Sequence, residues 1–110
     1  MAPPFCDVAG RARKQVVPGI AIRTFWGERT LLAIVDLAAN ATLPAHQHPA
    51  EQAGTVLSGG IELTIAQQTQ QLRPGDAYII PAGVEHSART GDAPAVLSEV
   101  FSPIREDYQY

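Results

Sequence analysis

The sequence predicts a single all-β domain, either a sandwich or a small barrel. Three observations carry the prediction. Short apolar, β-branched runs recur about every 8–12 residues. Nine glycines and nine prolines punctuate them. No stretch of helical length keeps a 3.6-residue apolar period. A chain of 110 residues has the size of one domain with one core. Apolar residues at 45% against charged residues at 17% give a globular profile and exclude a disordered one.

Taken in order, IAIRTFW (20–26) opens the barrel and TLLAIVDL (30–37) follows as a β-branched strand. AGTVLSG (53–59) comes next. IELTIA (61–66) then alternates, with Ile61, Leu63 and Ile65 on one face and Glu62 and Thr64 on the other. DAYIIP (76–81) and APAVLSEVF (93–101) complete the set. Ser58-Gly59-Gly60 offers the positive φ angles of a tight hairpin. Pro74-Gly75-Asp76 and Pro81-Ala82-Gly83 are turn tripeptides. Residues 1–110 read as one domain, with 1–14 an N-terminal tail or extension. Arg11, Arg13 and Lys14 fall in that extension and read as a solvated start.

The net charge is −3 at pH 7, which argues against a nucleic-acid partner. Cys6 is the only cysteine, so no intramolecular disulfide is possible. The first ten residues lack the charged and apolar regions of a signal peptide. No apolar run approaches the roughly 18 residues that span a membrane. A cytoplasmic location without membrane contact is the expectation.

Three histidines occur, two of them in AHQHPAEQAGTVLSG (45–59). Alternate residues on a strand share a face, about 7 Å apart, so His46 and His48 can address one ion. Neutral imidazole suits Zn, Fe, Ni and Cu. Two exposed polar residues at a strand end fit the dipeptide equally well. The wider pattern resembles the two motifs of the cupins, small jelly-roll β-barrels. The first, His-x-His then Glu or Gln and a glycine, reads here as His46, His48, Gln52 and Gly59. The second matches GDAYIIPAGVEH as Gly75, Pro81, Gly83 and His86.

The resemblance implies a jelly-roll β-barrel that holds one divalent transition-metal ion (Ni, Zn, Mn or Fe) on His46, His48, Gln52 and His86. Gln52 lies four positions after His48, on the same face of a regular strand. Glu51 would point away and is the fallback. An amide ligand leaves the full 2+ charge on the ion, which suits a Lewis acid without redox change. Two positions depart from the motifs. The glycine that opens the first is replaced near Asn40-Ala41, and Thr90 stands where an asparagine often follows the second. Neither position supplies a ligand.

In VLSEVFSPIREDY (96–108), Leu97, Glu99 and Phe101 share one strand face, with Val96, Ser98 and Val100 opposite. Both faces are largely apolar, which predicts a strand buried on both sides. An unpaired buried carboxylate costs several kcal/mol, so Glu99 should be paired, protonated or functional. A rim glutamate paired to an arginine is the competing reading. Arg105 suits bidentate binding of a carboxylate. Taken alone, a surface pair with Glu106 or Asp107 is the plainer reading. Trp26 and Tyr78 suit the lining of a sugar pocket, but a core or interface aromatic is the plainer reading of each.

Within the cupins, the chain resembles the pectin-degradation proteins of KdgF type over most of its length. The resemblance rests on WGERTLL, HQHPAEQ, GDAYIIPAGVEH and EVFSPIREDY. Those proteins usually end in Asp-Val-Phe-Ser-Pro-Pro-Arg-Glu-Asp. Here Glu99 replaces the aspartate and Ile104 the second proline, while Phe101 and Arg105 are kept. The resemblance implies linearisation of 4,5-unsaturated uronate monosaccharides, with Glu99, Phe101 and Arg105 as the catalytic residues of the metal pocket. It also implies a carboxylate-bearing sugar as the small-molecule substrate, and a homodimer. The longer Glu99 side chain sets its carboxyl about one bond further out, and small misplacements cost large factors in rate. Another metal-dependent cupin enzyme (a dioxygenase, cyclase or isomerase) and a non-catalytic sugar- or metal-binding cupin are the competing readings.

Overall fold

The computed structural model describes residues 3–110. Ten strands and one turn of 3-10 helix (Glu106–Tyr108) make up the regular structure. The strands are β1 (Lys14–Val17), β2 (Ile20–Trp26), β3 (Leu31–Leu37), β4 (Thr42–His46), β5 (Glu51–Ser58), β6 (Ile61–Ile65), β7 (Gln68–Leu72), β8 (Ala77–Ile80), β9 (His86–Arg89) and β10 (Ala95–Ser102). All pairings are antiparallel. A six-stranded sheet runs β1-β2-β3-β10-β5-β8, and a four-stranded sheet runs β4-β9-β6-β7. Their inner faces enclose the core, as a jelly roll requires.

The six expected strands form. β3 buries Leu31, Ala33, Val35 and Leu37 and leaves Leu32, Ile34 and Asp36 half-buried on the outer face. β1, β4, β7 and β9 are additional to the sequence reading. Each has four or five residues, and none carries a clean apolar alternation. β7, QTQQL, buries only Leu72. β4 contains a proline, which suits its place as an edge strand.

Two expectations are corrected. β10 is not buried on both sides. Ala95, Leu97, Glu99 and Phe101 face inward and are buried, but Val100 on the opposite face is 39% exposed. That outer face belongs to the large sheet, with Pro3, Pro4 and Cys6 of the N-terminal segment beside Phe25 and Leu32 at its β2–β3 end. Ser58-Gly59-Gly60 is not a hairpin either. It carries the chain from β5 in one sheet to β6 in the other. Gly59 has φ +70°, and a Cβ there would sit 2.1 Å from the Pro94 carbonyl oxygen. The true hairpin turn between β6 and β7 uses Ala66 and Gln67, both at positive φ, with no glycine to advertise it.

Register places the site. On the inner face, Thr24, Ala33, Glu99, Gly54 and Tyr78 form one cross-strand row. Leu31, Phe101, Gln52 and Ile80 form the next. The small residues Ala33 and Gly54 flank Glu99 and leave room for its carboxyl. The segment before β1 lies along β2. Arg11 donates to the Thr24 carbonyl (3.2 Å), and Arg23 donates to the Val8 carbonyl (3.0 Å). The Tyr110 hydroxyl bonds the Ala12 and Ile22 carbonyls.

The two turn glycines separate backbone strain from steric clash. Gly75, at φ +91°, has open space where a Cβ would point, with no heavy atom within 4 Å. Gly75→Ala is expected to cost about 1–2 kcal/mol, the left-handed penalty alone. Gly59→Ala adds a clash with backbone and is expected to cost about 3 kcal/mol or more. Urea denaturation of both variants checks the difference, and equal costs would contradict it.

Candidate metal centre

The three histidines meet at one end of the sandwich. His46 closes β4 and pairs directly with His86, which opens β9. Their ring centroids are 4.2 Å apart. His48 lies beyond the end of β4, in the connection to β5, and not on a strand as the His-x-His spacing had suggested. Its placement comes from hydrogen bonds. The Gly83 N–H donates to the His48 carbonyl (2.9 Å), so the glycine of the second motif fixes the histidine of the first.

Each ring is oriented the same way. Nδ1 of His46 meets the Pro44 carbonyl (2.9 Å), that of His48 the Ala50 carbonyl (2.8 Å), and that of His86 the Val84 carbonyl (2.9 Å). A carbonyl only accepts, so each Nδ1 carries the proton and each Nε2 presents a lone pair. Nitrogen atoms of the three rings lie within 4.8 Å of one another. The His86 Nε2 is buried and has no hydrogen-bond partner among the described residues.

Gln52 and Glu99 extend the cluster inward. The Gln52 Oε1 is 3.0 Å from His48 Nε2. Its Nε2 donates to Glu99 Oε2 at 2.6 Å. The Tyr78 hydroxyl donates to the same Glu99 oxygen, also at 2.6 Å. Glu99 is therefore paired, but with an amide and a phenol, not with an arginine. Glu51 is exposed and points away. Burial raises the Glu99 pKa, and the bonds from Tyr78 and Gln52 and the charge of Arg105 partly offset this.

Phe101 packs edge-on against the His48 ring, with centroids 5.6 Å apart. Arg105 lies 5.2 Å from the Phe101 centroid and 3.8 Å from that of Tyr108. Its Nε and Nη2 bond the two carboxylate oxygens of Asp107 at 3.3 and 2.7 Å. The plainer reading of Arg105 is thus present. A guanidinium has a second donor edge across Nη1 and Nη2. A cavity of about 430 Å³ opens at this mouth, bordered by His46, Arg105, Tyr108 and Lys14. Trp26 stands apart from it, 40% exposed.

Sequence reasoning missed Tyr78 as a partner of Glu99. The available signal was Gly54, since an isolated glycine inside a strand marks a close approach. A Cβ at Gly54 would sit 2.3–2.6 Å from the end of the Tyr78 ring.

Burial lowers the His48 pKa and brings that of His86 down to about 4, with the charges of the neighbouring histidines and Arg105 adding to both shifts. Both imidazoles are therefore neutral in the folded, metal-free protein near neutral pH. The unfolded chain takes up these protons near pH 6.5. Between pH 6.5 and 4 the unfolded state binds more protons, so stability falls as pH falls. His86 is expected to contribute no more than about 3 kcal/mol of that loss. Urea titrations of chelator-treated protein at pH 7 and pH 5 measure it, and His86→Ala should flatten the dependence.

Three imidazole lone pairs lie in one cluster, with the Gln52 amide oxygen 3.0 Å from that of His48 and the His86 lone pair unpartnered. Acceptors facing acceptors repel unless a cation lies among them, so these residues fit a metal ion, and imidazole donors suit a transition metal. A sequence profile of the cupin domain matches residues 33–101. Over 62 residues the chain is 37% identical to dimethylsulfoniopropionate lyase DddQ from Ruegeria pomeroyi, covering 56% of this chain and 31% of that protein. Over 74 residues it is 38% identical to germin-like protein 3-1 from Oryza sativa, covering 60% of this chain and 33% of that protein. The chain thus spans about a third of the length of the curated relatives it matches. The structure of KdgF from Halomonas sp. superposes with a TM-score of 0.90 at 25% identity, covering 98% of this chain and all of that one. With both motifs, both sheets and the profile in agreement, the chain belongs to the cupin family.

Proposed function

We propose that this cupin is a metal-dependent enzyme that linearises 4,5-unsaturated uronate monosaccharides. The observation that carries the reading is the three-histidine cluster, with the buried Glu99 carboxyl joined to it through Gln52 on the inner side and the Arg105 guanidinium beside His46 at the mouth. The full-length likeness to KdgF supports it. In this reading His46, His48, His86 and the Gln52 oxygen hold one divalent transition-metal ion. That ion supplies Lewis-acid polarisation of a substrate oxygen without changing its own oxidation state.

The reaction balances with no co-reactant. The hemiacetal hydroxyl loses a proton, and its C–O bond becomes a carbonyl as the ring C–O bond breaks. The ring-oxygen electron pair becomes an enolate, and the enol carbon takes a proton. The protein must therefore hold a carboxylate, move a proton and keep water out. Arg105 holds the substrate carboxylate on its Nη1–Nη2 edge, because Asp107 occupies the other. Glu99 moves the proton through Oε1, since Oε2 already accepts two bonds. Phe101 packs beneath the sugar and excludes water.

A second reading has one specific observation in its favour, the 37% identity to a dimethylsulfoniopropionate lyase. The same residues could serve an elimination from a smaller carboxylate substrate. A homodimer belongs to the proposal as well. An apolar row of Phe25, Leu32, Val100, Ala53 and Ile79 crosses the outer face of the large sheet and supports it.

A proton NMR time course of unsaturated galacturonate tests the function, beside a protein-free control because the sugar opens unaided. The metal-loaded protein is expected to accelerate loss of the ring form. His48→Ala, Glu99→Gln and chelation should each return the rate to the control. A wild-type rate equal to the control would sink the uronate reading, and turnover of dimethylsulfoniopropionate instead would establish the second. Arg105→Ala is expected to lower kcat/KM about 10- to 100-fold, the loss of a charge-assisted bond, with metal content unchanged.

A further inference from the structure

Tyr78, Gly54 and Glu99 stand side by side on β8, β5 and β10, paired residue to residue across the sheet. The glycine is what allows them to meet. The end of the Tyr78 ring occupies the space where a Cβ of residue 54 would lie. The phenol therefore crosses a whole strand and delivers its hydroxyl to Glu99 Oε2. The oxygen that receives it also receives the Gln52 amide N–H. Gln52 sits one row further on, next to Phe101, with its amide oxygen turned to His48 Nε2.

An amide has two ends of nearly equal shape and opposite polarity. Rotated by half a turn, Gln52 would present N–H groups to the histidine centre, and these cannot coordinate a cation. The choice of end is made by what the other end meets. A carboxylate oxygen accepts only, so it holds the NH₂ end. A carboxylate free to rotate would hold it poorly. The Tyr78 hydroxyl removes that freedom by fixing the same oxygen from the opposite strand. Burial keeps the phenol protonated and hence a donor.

We propose that Tyr78, reaching over Gly54, and Glu99 form a positioning chain that locks the Gln52 amide with its oxygen toward the three-histidine centre. The proposal rests on the metal reading above. It gives Glu99 a task distinct from proton transfer, and it gives Tyr78 and Gly54 a task where the sequence offered only a core aromatic and a strand glycine. Outer-sphere partners of this kind hold a ligand's donor atom in place, and their loss commonly weakens metal affinity 10- to 100-fold.

The test uses Co(II) as the probe, with the full chain and no substrate. Affinity is measured by competition with a chromophoric chelator. The d–d spectrum of the saturated protein reports the ligand set. Wild type, Tyr78→Phe, Gly54→Ala and Gln52→Ala are compared. Tyr78→Phe is expected to bind Co(II) about 10-fold more weakly and to shift the spectrum toward that of Gln52→Ala. Gly54→Ala displaces the phenol by a different route and should shift it the same way. A purely structural role for Tyr78 would lower the denaturation midpoint of metal-free protein but leave the saturated spectrum and the affinity at wild-type values. That result overturns the proposal and spares the metal reading. Should wild type bind no Co(II) at all, the metal reading falls and the positioning chain falls with it.

Discussion

The structure depends on one costly placement, a carboxyl group buried in the middle of a sheet. Glu99 is 8% exposed and sits between Leu97 and Phe101 on the inner face. A carboxylate there is unfavourable by several kcal/mol unless donors reach it. Its neighbours reflect this demand. Ala33 and Gly54 beside it are small, which gives the carboxyl and its donors space. Tyr78 and Gln52 supply those donors from β8 and β5. The order β10-β5-β8 in the large sheet is therefore also a wiring diagram, because it brings the acid, the glycine and the phenol together.

The histidines obey a second constraint that meets the first at Gln52. Backbone carbonyls of Pro44, Ala50 and Val84 hold the three Nδ1 atoms. Strand β4 provides the first of those carbonyls and the connections before β5 and β9 provide the other two, and Gly83 ties those two connections together through the His48 carbonyl. The lone pairs are thus aimed before any ion arrives. Preorganisation of this kind spares the cost of ordering ligands at binding. It also explains why burial can lower the pKa of two histidines without unfolding the site, since neutral rings need no counter-charge.

Much of this was legible in the sequence. Two spaced motifs located all three histidines, and strand parity put Glu99 and Phe101 on one shared face, though not which face is the inner one. Register was not legible. Tyr78 lies 21 residues before Glu99, and nothing in a linear pattern says that their strands flank a common neighbour. The short strands β4, β7 and β9 were missed because polar or proline-containing segments carry no alternation, although β4 and β9 hold two of the histidines. Glycines misled once and went unread once. Gly59 suggested a hairpin where the chain crosses between sheets, while the close approach at Gly54 was not drawn from the sequence.

The glutamate at position 99 first reads as a departure that threatens the reaction. The structure offers a physical account of how it is accommodated. An aspartate would hold its carboxyl about one bond nearer β10, short of where Oε2 now meets two donors at 2.6 Å. The longer side chain reaches across the row, and Tyr78 over Gly54 comes to meet it. The two oxygens of the acid then divide the work. Oε2 is committed to Tyr78 and Gln52, which fixes the plane of the carboxyl and the direction of the amide. Oε1 takes no part in that anchor. In the proposed reaction, anchoring and proton transfer would then use different atoms, and a carboxyl held rigidly by one oxygen would deliver a proton from the other along a defined line. The length of the side chain, the glycine beside it and the phenol beyond make sense only as a set.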